Sequence, residues 1–384
     1  MLTIMKTIYL DNAATTQVRP EVQEAMLPYM GERYGNPSSL YSMGRDAREA
    51  VEESRRILAK KLNVGERELI FTSGGTESNN LAIKGIAFEK KGGHIITTKI
   101  EHSSILNPCK WLQKQGYKVT YVGVDPEGIV NPDDVEKAVQ KDTILITVGH
   151  ANNEIGTIQD LKAIGEVALK HNIPFHTDAC QSFTKTELDA KKMNLSLVTI
   201  NGHKINGPKG VGALAVKAGV QYTPLAHGGE HEFRKRGGTE NVPGVVGFAK
   251  AAQLVNDREL DHMRGLRDRL IDGILNGVSG VRLNGHRTRR LCNNANFTFS
   301  AVEGEALLLR LDMKGICAST GSACSSQSLE PSHVILALGC KQEESHGSLR
   351  VTVGYTNTGE EIDYAIQTIK QEVEALRKIS PFGR

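Results

Sequence analysis

LIFTSGGTESNN, residues 69–80, is the stretch of sequence that decides the fold class. Its first four residues are apolar or β-branched and predict a buried strand, and a helix is predicted from Glu77 onward. The turn between them, SGGT at residues 73–76, contains glycines that let the backbone approach a ligand closely. Free N–H groups at a helix start favour an anion, so this turn is a candidate phosphate site. Taken alone, an ordinary strand-to-helix turn explains it equally well.

The same alternation of β-branched runs and amphipathic stretches fills the first two-thirds of the chain. Strands are predicted at residues 69–72, 94–98, 119–122, 143–148, 174–178, 197–200 and 212–216. Helices are predicted at residues 46–62, 77–89, 102–115 and 161–171. Strands that alternate with helices predict an α/β fold with a mostly parallel sheet covered by helices on both faces.

The pattern changes near residue 255. Beyond it we predict helices at residues 257–275, 303–313 and 360–378, strands at 296–299 and 349–353, and a Ser/Gly-rich loop at 319–328. This mixture predicts a smaller α+β domain made of residues 1–15 and 256–384. The large domain then comprises residues 16–255.

The composition argues against several classes of protein. With 47 Lys and Arg residues against 44 Asp and Glu residues, the net charge is +3, which argues against a dedicated nucleic-acid binder. No apolar run approaches the roughly 20 residues that span a bilayer, and the N-terminus lacks the features of a secretory signal. The six cysteines lack CxxC spacing, so neither a disulfide framework nor a metal site is expected. We therefore expect a cytoplasmic protein without a membrane or nucleic-acid partner.

Two polar residues follow predicted strands and are candidates for cofactor chemistry. Asp178, in FHTDACQS, lies at the carboxyl end of a strand, where open α/β sheets bind ligands. It could hold a pyridinium nitrogen protonated, or it could simply cap a helix. Lys204, in NGHKINGPKG, lies among glycines between two strands, which suits a Schiff-base lysine activated by partial desolvation. The alternative, a turn lysine, fits Lys209 better.

Three further residues are candidates for the site. Cys324 lies in CASTGSACSSQS, where Ser, Thr and Gly predict an exposed thiol, which is a liability unless it has a function. The other cysteines have apolar or strand-like surroundings and are predicted to be small buried residues. His102 lies at a strand-to-helix junction, where it could stack on a ring or shuttle protons. Arg350, on a late strand, could bind a carboxylate with two hydrogen bonds, although each of these two residues could equally be structural.

The motifs together, in this order, resemble the cysteine desulfurases of the NifS/IscS type, which are fold-type I pyridoxal-phosphate (PLP) enzymes related to the class-V aminotransferases. The resemblance covers nearly the whole chain and rests on YLDNAATT, YGNPSS, FTSGGTESNN, EHSS, ANNEIGTIQ, HTDACQS, GHKINGPKG, RGGTENVPG, STGSACSSQSLEPSH and HGSLR. Its long Ser-rich loop around Cys324 is similar to the NifS/IscS branch rather than the SufS branch.

The resemblance implies a role for each matching residue in binding the cofactor. Lys204 would hold PLP covalently and move protons, Asp178 would pair with the pyridinium nitrogen, and Gln181 would bond the ring 3-oxygen. His102 would stack on the ring and assist protonation. The residues implied at the phosphate are Gly75, Thr76, Asn201, His203 and, from a second subunit, Thr239.

The resemblance also implies the reaction. Arg350 and Asn153, the latter also at the cofactor, would hold the carboxylate of L-cysteine. Cys324 would take the substrate sulfur as a persulfide, leaving alanine. The implied partners are a second copy of the chain and an iron–sulfur scaffold or another sulfur-acceptor protein.

Some positions depart from the family pattern and keep other functions open. Asn201 stands where Ser is usual, Glu230 replaces a Gly, and Tyr41 and Tyr355 replace His and Arg. One alternative is a selenocysteine lyase or an aminotransferase of the same fold; an aminotransferase would not need Cys324. Another is a PLP-binding assembly subunit without catalytic activity, which the changes at Asn201 and Glu230 favour.

Overall fold

The computed structural model describes residues 7–321 and 331–380. The strands are β1 Ile8–Tyr9, β2 Leu69–Thr72, β3 His94–Thr98, β4 Lys118–Val122, β5 Thr143–Thr147, β6 Phe175–Asp178, β7 Leu197–Asn201, β8 Gly212–Val216, β9 Val281–Leu283, β10 Asn294–Phe299, β11 Ile316–Cys317 and β12 Ser348–Thr352. The helices are α1 Pro20–Met26, α2 Ser42–Leu62, α3 Gly75–Lys90, α4 Ser103–Lys114, α5 Pro132–Lys137, α6 Leu161–Lys170, α7 Val242–Leu254, α8 Asp257–Gly277, α9 Gly304–Asp312, α10 His333–Ala337, α11 Gln342–Ser345 and α12 Gly359–Ile379. Short 3₁₀ turns lie at Leu27–Met30, Glu66–Glu68 and Glu232–Arg234.

The large sheet has the strand order β2-β8-β7-β6-β5-β3-β4. Its neighbours pair in parallel except at β8, which runs antiparallel to both β2 and β7. The predicted mostly parallel α/β sheet is therefore confirmed. Each of its strands begins and ends within one residue of its predicted bounds.

Alternation along the strands buries both faces of this sheet. In β2, Leu69 and Phe71 pack into one apolar cluster, while Ile70 between them packs into a second cluster. In β7, Val198 and Leu197 divide between the same two clusters. Successive side chains of a strand point to opposite faces, so helices must cover both of them.

The C-terminal part contains a separate antiparallel sheet of order β12-β10-β9. A third apolar cluster joins Ile8 and Leu10 to residues of α8, α9, β10, β12 and α12. The division into residues 16–255 and residues 1–15 with 256–384 remains our proposal, and this separate cluster supports it. The prediction missed the short strands β1, β9 and β11.

Residues 8–16, here called the N-terminal segment, run between the two parts. The segment begins in β1, which pairs in parallel with β11. The side-chain amide of Asn12 donates to the carbonyl of Thr352 at 2.8 Å, and the Thr352 N–H donates to the carbonyl of Leu10 at 2.7 Å. At its other end the N–H of Thr16 donates to the carbonyl of His203 at 3.0 Å. The segment thus connects the last strand to the loop after β7.

Within residues 7–321 and 331–380, no helix has both the length and the apolar character required to cross a bilayer.

Candidate active site

A cavity of about 260 Å³ lies where the parallel strands of the large sheet end. The loops after β2, β3, β5, β6 and β7 all contribute to it, which is the usual ligand position in open α/β sheets. The predicted site residues that line it are Gly75, Thr76, His102, Asn153, Asp178, Gln181, Asn201, His203, Lys204 and Arg350. The structure therefore brings together residues that are spread over most of the sequence.

Lys204 lies in the loop between β7 and β8, and its amine is held by the N-terminal segment. The ammonium group donates to the carbonyl of Ala14 at 2.6 Å and also to the carbonyl of Ala13. Desolvation by burial, followed by the positive charge of Arg350, lowers the pKa of Lys204 to about 8. An amine with this pKa is partly neutral near physiological pH, and the neutral fraction can act as a nucleophile.

Asp178 ends β6, and both of its carboxylate oxygens accept hydrogen bonds. Oδ2 accepts from the side-chain amide of Asn79 at 2.7 Å, and Oδ1 accepts from the N–H of Cys180 at 2.9 Å. Oδ1 thus caps the following turn, as the simpler interpretation of the sequence proposed. The residue also lines the cavity, so the cap does not exclude contact with a ligand. Asn79, which the sequence analysis did not single out, also lines the cavity.

His102 caps α4, and its ring is fixed by Ser104. The N–H of Ser104 donates to Nδ1 of His102 at 3.1 Å, and the Ser104 hydroxyl lies 2.8 Å from the same nitrogen. Asn79 donates to that hydroxyl at 2.8 Å, which leaves the hydroxyl proton for His102. Burial, the largest cause, lowers the pKa of His102. A neutral ring whose Nδ1 accepts must carry its proton on Nε2.

The start of α3 has the properties of an anion site. Its N-cap residue Gly74 has φ +152° and makes no side-chain cap bond, so the first N–H groups of this helix are not used by a cap. A Cβ atom added to Gly75 would lie 2.6 Å from Sγ of Cys180, so only glycine fits there. The same Cβ would lie 3.5 Å from the amide nitrogen of Asn201, which places that amide beside the helix start.

His203 completes this end of the cavity. Its Nδ1 lies 3.2 Å from the hydroxyl of Thr15. Burial and then the charge of Lys204 lower its pKa to about 4, so the ring is neutral at physiological pH. A neutral imidazole can bind an anion through its N–H without adding a charge.

Arg350 lies on β12 and is 1% exposed. One guanidinium nitrogen, Nη2, lies 2.8 Å from Oδ1 of Asp11, and Nη1 donates to the carbonyl of Asn153 at 3.1 Å. Its Nε has no hydrogen-bond partner among the residues described. The sequence analysis missed Asp11, although an acidic residue in YLDNAATT was available as a signal.

Cys109, Cys180, Cys292 and Cys317 are free thiols. Cys109, Cys180, Cys292 and Cys340 are buried, as expected, and Cys317 is half-buried in β11. Cys180 is buried next to β6 as expected, but it also lines the cavity beside Asp178. Burial and then the charge of Asp178 raise the pKa of the Cys180 thiol, so it stays protonated. Cys324 lies outside the described residues, and its exposure stays a prediction.

Thr239 and two of the departures from the family pattern lie away from the cavity. Thr239 is exposed and lines a different cleft, with Ser73 and Arg236. Glu230 is exposed and pairs with Arg234 at 2.8 Å, so its charge is balanced locally. The ring of Tyr355 lies under the guanidinium of Arg19, 3.9 Å from its carbon. Of Asn201, Glu230, Thr239 and Tyr355, only Asn201 lines the cavity.

Comparisons with known proteins agree along nearly the whole chain. The family model for class-V aminotransferases matches residues 8–365. A protein named cysteine desulfurase IscS from Methanosarcina thermophila is 52% identical over 381 residues, which cover 98% of this chain and 94% of that protein. A solved structure described as a NifS-like protein aligns with a TM-score of 0.90 and 36% identity, covering 96% of this chain and 100% of its own. Another solved structure, described as SspA in complex with cysteine, has a TM-score of 0.83 and 36% identity, covering 92% of this chain and 100% of its own.

Proposed function

The chain belongs to the class-V aminotransferase family, and we propose from that premise that it is a cysteine desulfurase. In this proposal it uses PLP to remove sulfur from L-cysteine, forms a persulfide on Cys324 and releases L-alanine. The observation that carries it is the convergence of four groups on one cavity: the amine of Lys204, the carboxylate of Asp178, the open start of α3 and the guanidinium of Arg350. An amine, a carboxylate, an anion site and a carboxylate receptor are the groups that PLP and an amino acid together require.

The residues present fit PLP. Gly75 leaves room at the helix start for a phosphate, and the side-chain amide nitrogen of Asn201, which can donate to a phosphate oxygen, lies beside that helix start. The helix start, Thr76, Asn201 and His203 would hold the phosphate, and Gln181 would face the ring 3-oxygen. When bound, PLP withdraws electrons from the substrate Cα and so weakens the bonds around it.

The chain's own residues would then orient the substrate and move its protons. Lys204, whose pKa is lowered to about 8, can release and take up a proton near neutral pH. Asp178 is held in place by the two hydrogen bonds that it accepts, and its carboxylate would pair with the ring nitrogen. His102 offers an N–H at Nε2 from a ring that Ser104 holds in place. Arg350 and Asn153 would bind the substrate carboxylate.

The sulfur step is assigned to Cys324. Its thiolate would attack the sulfur of the bound cysteine, forming an S–S bond while the substrate C–S bond breaks. The carbon fragment would take up protons to become alanine, and the sulfur would leave as a persulfide for an acceptor or be released by a thiol reductant. Cys180 is a poor candidate for this role, because burial keeps its thiol protonated.

Two alternatives make different predictions. An aminotransferase of the same fold would need Lys204 and Asp178 but not Cys324. A PLP-binding subunit without activity is favoured by the Asn201 substitution, although that side chain still faces the cavity. Glu230 no longer favours it, because its charge is paired with Arg234 outside the cavity.

We also propose that the protein is a cytoplasmic homodimer that delivers sulfur to an iron–sulfur scaffold or another acceptor protein. The exposure of Thr239 outside its own cavity supports the assignment of this residue to the partner's phosphate site. Mixing Lys204→Ala and Thr239→Ala subunits tests this assignment. If the site is shared, mixed dimers contain one intact site and recover activity that neither variant has alone, whereas no recovery contradicts a shared site.

The experiment that tests the function measures alanine formed from L-cysteine by the PLP-loaded protein with a reductant. Wild type should form alanine, and both Lys204→Ala and Cys324→Ser should be inactive. Only Cys324→Ser should retain the absorbance of covalently held cofactor, and the matched control Cys180→Ala should stay active. Activity that survives in Cys324→Ser points to a lyase or aminotransferase. If wild type binds PLP but forms no alanine, the result supports a PLP-binding subunit without catalytic activity.

A further inference from the structure

A second cavity, of about 550 Å³, lies between α8, residues 287–292 and the turn that follows β6. It shares no lining residue with the candidate active site. Five cationic side chains line it: Lys185, Arg264, Arg267, Arg287 and Arg290. Only two carboxylates, Asp268 and Asp272, lie among the lining residues, so three positive charges are in excess.

Three arginines that line this cavity already have acidic partners. Nη2 of Arg267 lies 2.8 Å from Asp268, and Nη1 of Arg287 lies 3.1 Å from the same carboxylate oxygen. Nη2 of Arg287 also lies 2.7 Å from Asp272. Arg264 pairs with Asp261, three residues earlier on α8. Both lining carboxylates are therefore used by Arg267 and Arg287.

The other two lining cations, Lys185 and Arg290, have no acidic partner among the described residues. Lys185 is 9% exposed, and its Nζ has no hydrogen-bond partner in the part of the chain that is described. Arg290 is 3% exposed; its Nη2 donates to the carbonyls of Ile155 and Asn284, but Nε and Nη1 likewise have no partner there. Burial lowers the pKa of Lys185 to about 8 and that of Arg290 to about 9. A buried cation without a partner is costly, so an anion in this cavity would stabilise both groups.

We propose that this cavity is a binding site for a phosphoryl oxyanion, held directly by Lys185 and Arg290. The free Nε and Nη1 of Arg290 can each donate an N–H bond to an anion, and the ammonium of Lys185 adds a compact charge. Thr186 and Thr288, which also line the cavity, carry hydroxyl groups that suit the remaining oxygens. Because Arg264 is paired with Asp261, two positive charges remain unpaired, and these match a dianion better than a single carboxylate. The volume accepts either free phosphate or the phosphate of a small monoester.

The site lies close to the catalytic lysine without being part of its cavity. Lys185 also lines a small cleft that Lys204 and Asn206 share. Its charge contributes to lowering the pKa of both Lys204 and His203. An anion bound to Lys185 would therefore reduce the effect of this charge on the pKa of Lys204 and of His203.

The test is calorimetric titration of the PLP-saturated protein with inorganic phosphate and, separately, with AMP as a monoester, at constant ionic strength. PLP fills the catalytic phosphate position, so binding there does not interfere. We expect one saturable site per chain, and the tighter of the two ligands identifies free phosphate or a monoester as the natural source. Lys185→Met should weaken binding by about tenfold or more, because one charge-assisted bond is lost. The matched control Lys110→Met, at an exposed lysine on α4, should bind like wild type.

A thermal measurement keeps the proposal falsifiable if Arg290 cannot be changed without unfolding the protein. Phosphate should raise the Tm of wild type and of Lys110→Met, because a ligand of the folded state stabilises it. Lys185→Met, which loses no protein hydrogen bond, should have a higher Tm than wild type without phosphate and a smaller increase with it. Absence of saturable binding of either anion to wild type overturns the proposal. Binding that is unchanged in Lys185→Met overturns it as well, since the anion then binds elsewhere.

Discussion

Nη2 of Arg350 lies 2.8 Å from Oδ1 of Asp11, although the two residues are 339 positions apart in the chain. The Asp11 side chain is 15% exposed and that of Arg350 is 1% exposed, so water screens this ion pair only weakly. The pair fixes the guanidinium in the orientation that would receive a substrate carboxylate. Asp11 is therefore a positioning residue for Arg350.

Replacing Asp11 by Ala should raise KM for L-cysteine about tenfold, with a smaller change in kcat. The substitution leaves buried N–H groups of Arg350 without a partner and frees the guanidinium to turn. Asp11→Asn keeps an accepting oxygen and should have an intermediate KM. Initial rates of alanine formation measure both constants. A KM for Asp11→Ala equal to that of wild type would show that Asp11 does not orient Arg350.

Ser104→Ala should move the acid limb of the pH profile of alanine formation to higher pH. The Ser104 hydroxyl stabilises the neutral ring of His102 by donating to Nδ1, so its loss favours protonation and raises the pKa of His102. Because one neutral hydrogen bond is lost, a shift of roughly 0.5–1 unit is expected. Ser103→Ala, one residue earlier on the same helix, is the matched control and should leave the profile in place. If Ser104→Ala and Ser103→Ala have the same pH profile, Ser104 does not influence the pKa that sets the acid limb.

A buried ion pair between Arg55 and Glu232 holds an unusual stretch of backbone. The side chains are 2% and 1% exposed, and two guanidinium nitrogens donate to the two carboxylate oxygens at 2.8 and 2.9 Å. Glu232 also accepts from the N–H of Phe71 at 2.8 Å. Glu232, Phe233 and Arg234 have φ of +46°, +57° and +66°, a left-handed run that is disfavoured for non-glycine residues.

Glu232→Gln should lower the free energy of unfolding by about 3–5 kcal/mol, since it breaks the buried pair and leaves Arg55 with only the exposed carboxylate of Glu52 as a counter-ion. Urea unfolding of Glu232→Gln, and of a double variant that combines it with Arg55→Met, measures this effect. The double variant should be more stable than the single one, because neither charge then remains buried. Glu230→Gln, at the exposed pair nearby, should be indistinguishable from wild type. A double variant as unstable as the sum of its single changes would exclude a dominant role for the unpaired charge.

His176 should make stability fall as the pH decreases. It lies in β6, with Nδ1 2.8 Å from the hydroxyl of Thr147 and Nε2 3.0 Å from that of Thr199. Burial lowers its pKa in the folded state from 6.5 to about 4. Between these values the unfolded chain binds more protons, so stability is lost from about pH 6.5 downward, by up to about 3 kcal/mol.

The matching measurement is the urea midpoint between pH 7 and pH 4. His176→Gln can keep both hydrogen bonds but cannot titrate, so its midpoint should decline less steeply than that of wild type. His171→Gln, at an exposed histidine, should follow wild type. Parallel curves for wild type and His176→Gln would show that this histidine does not couple to acid unfolding.

The strands of the large sheet are predictable because strands buried on both faces are continuous β-branched and apolar runs. LIFT and the segment at residues 212–216 need no knowledge of their neighbours to be assigned. Asp178 and Lys204 are predictable for a related reason, since Asp178 ends such a run and Lys204 lies three residues after another. Short strands such as β1 and β11 have too few residues to show a period, and only tertiary pairing defines them.

Contacts between distant residues account for what the sequence did not predict. Nothing local relates Asp11 to Arg350, and Cys180 has the same sequence surroundings whether it faces a core or a polar cavity. Lys185 is a similar case. In SFTKTELD it has the pattern of a solvated turn lysine, but the packing of α8 and residues 287–292 around it leaves it buried. Such environments depend on which elements meet, and that information is not local.

The N-terminal segment has a consequence for how the protein is made. Its carbonyls hold Lys204 and its Asp11 holds Arg350, while Leu10 and Asn12 bond to Thr352. During synthesis the segment leaves the ribosome long before its partner strand β12, which follows more than three hundred residues later. Contacts of such long sequence separation form late in folding. The nascent chain can therefore build its parallel sheet early, but the site can become complete only after β12 has been translated.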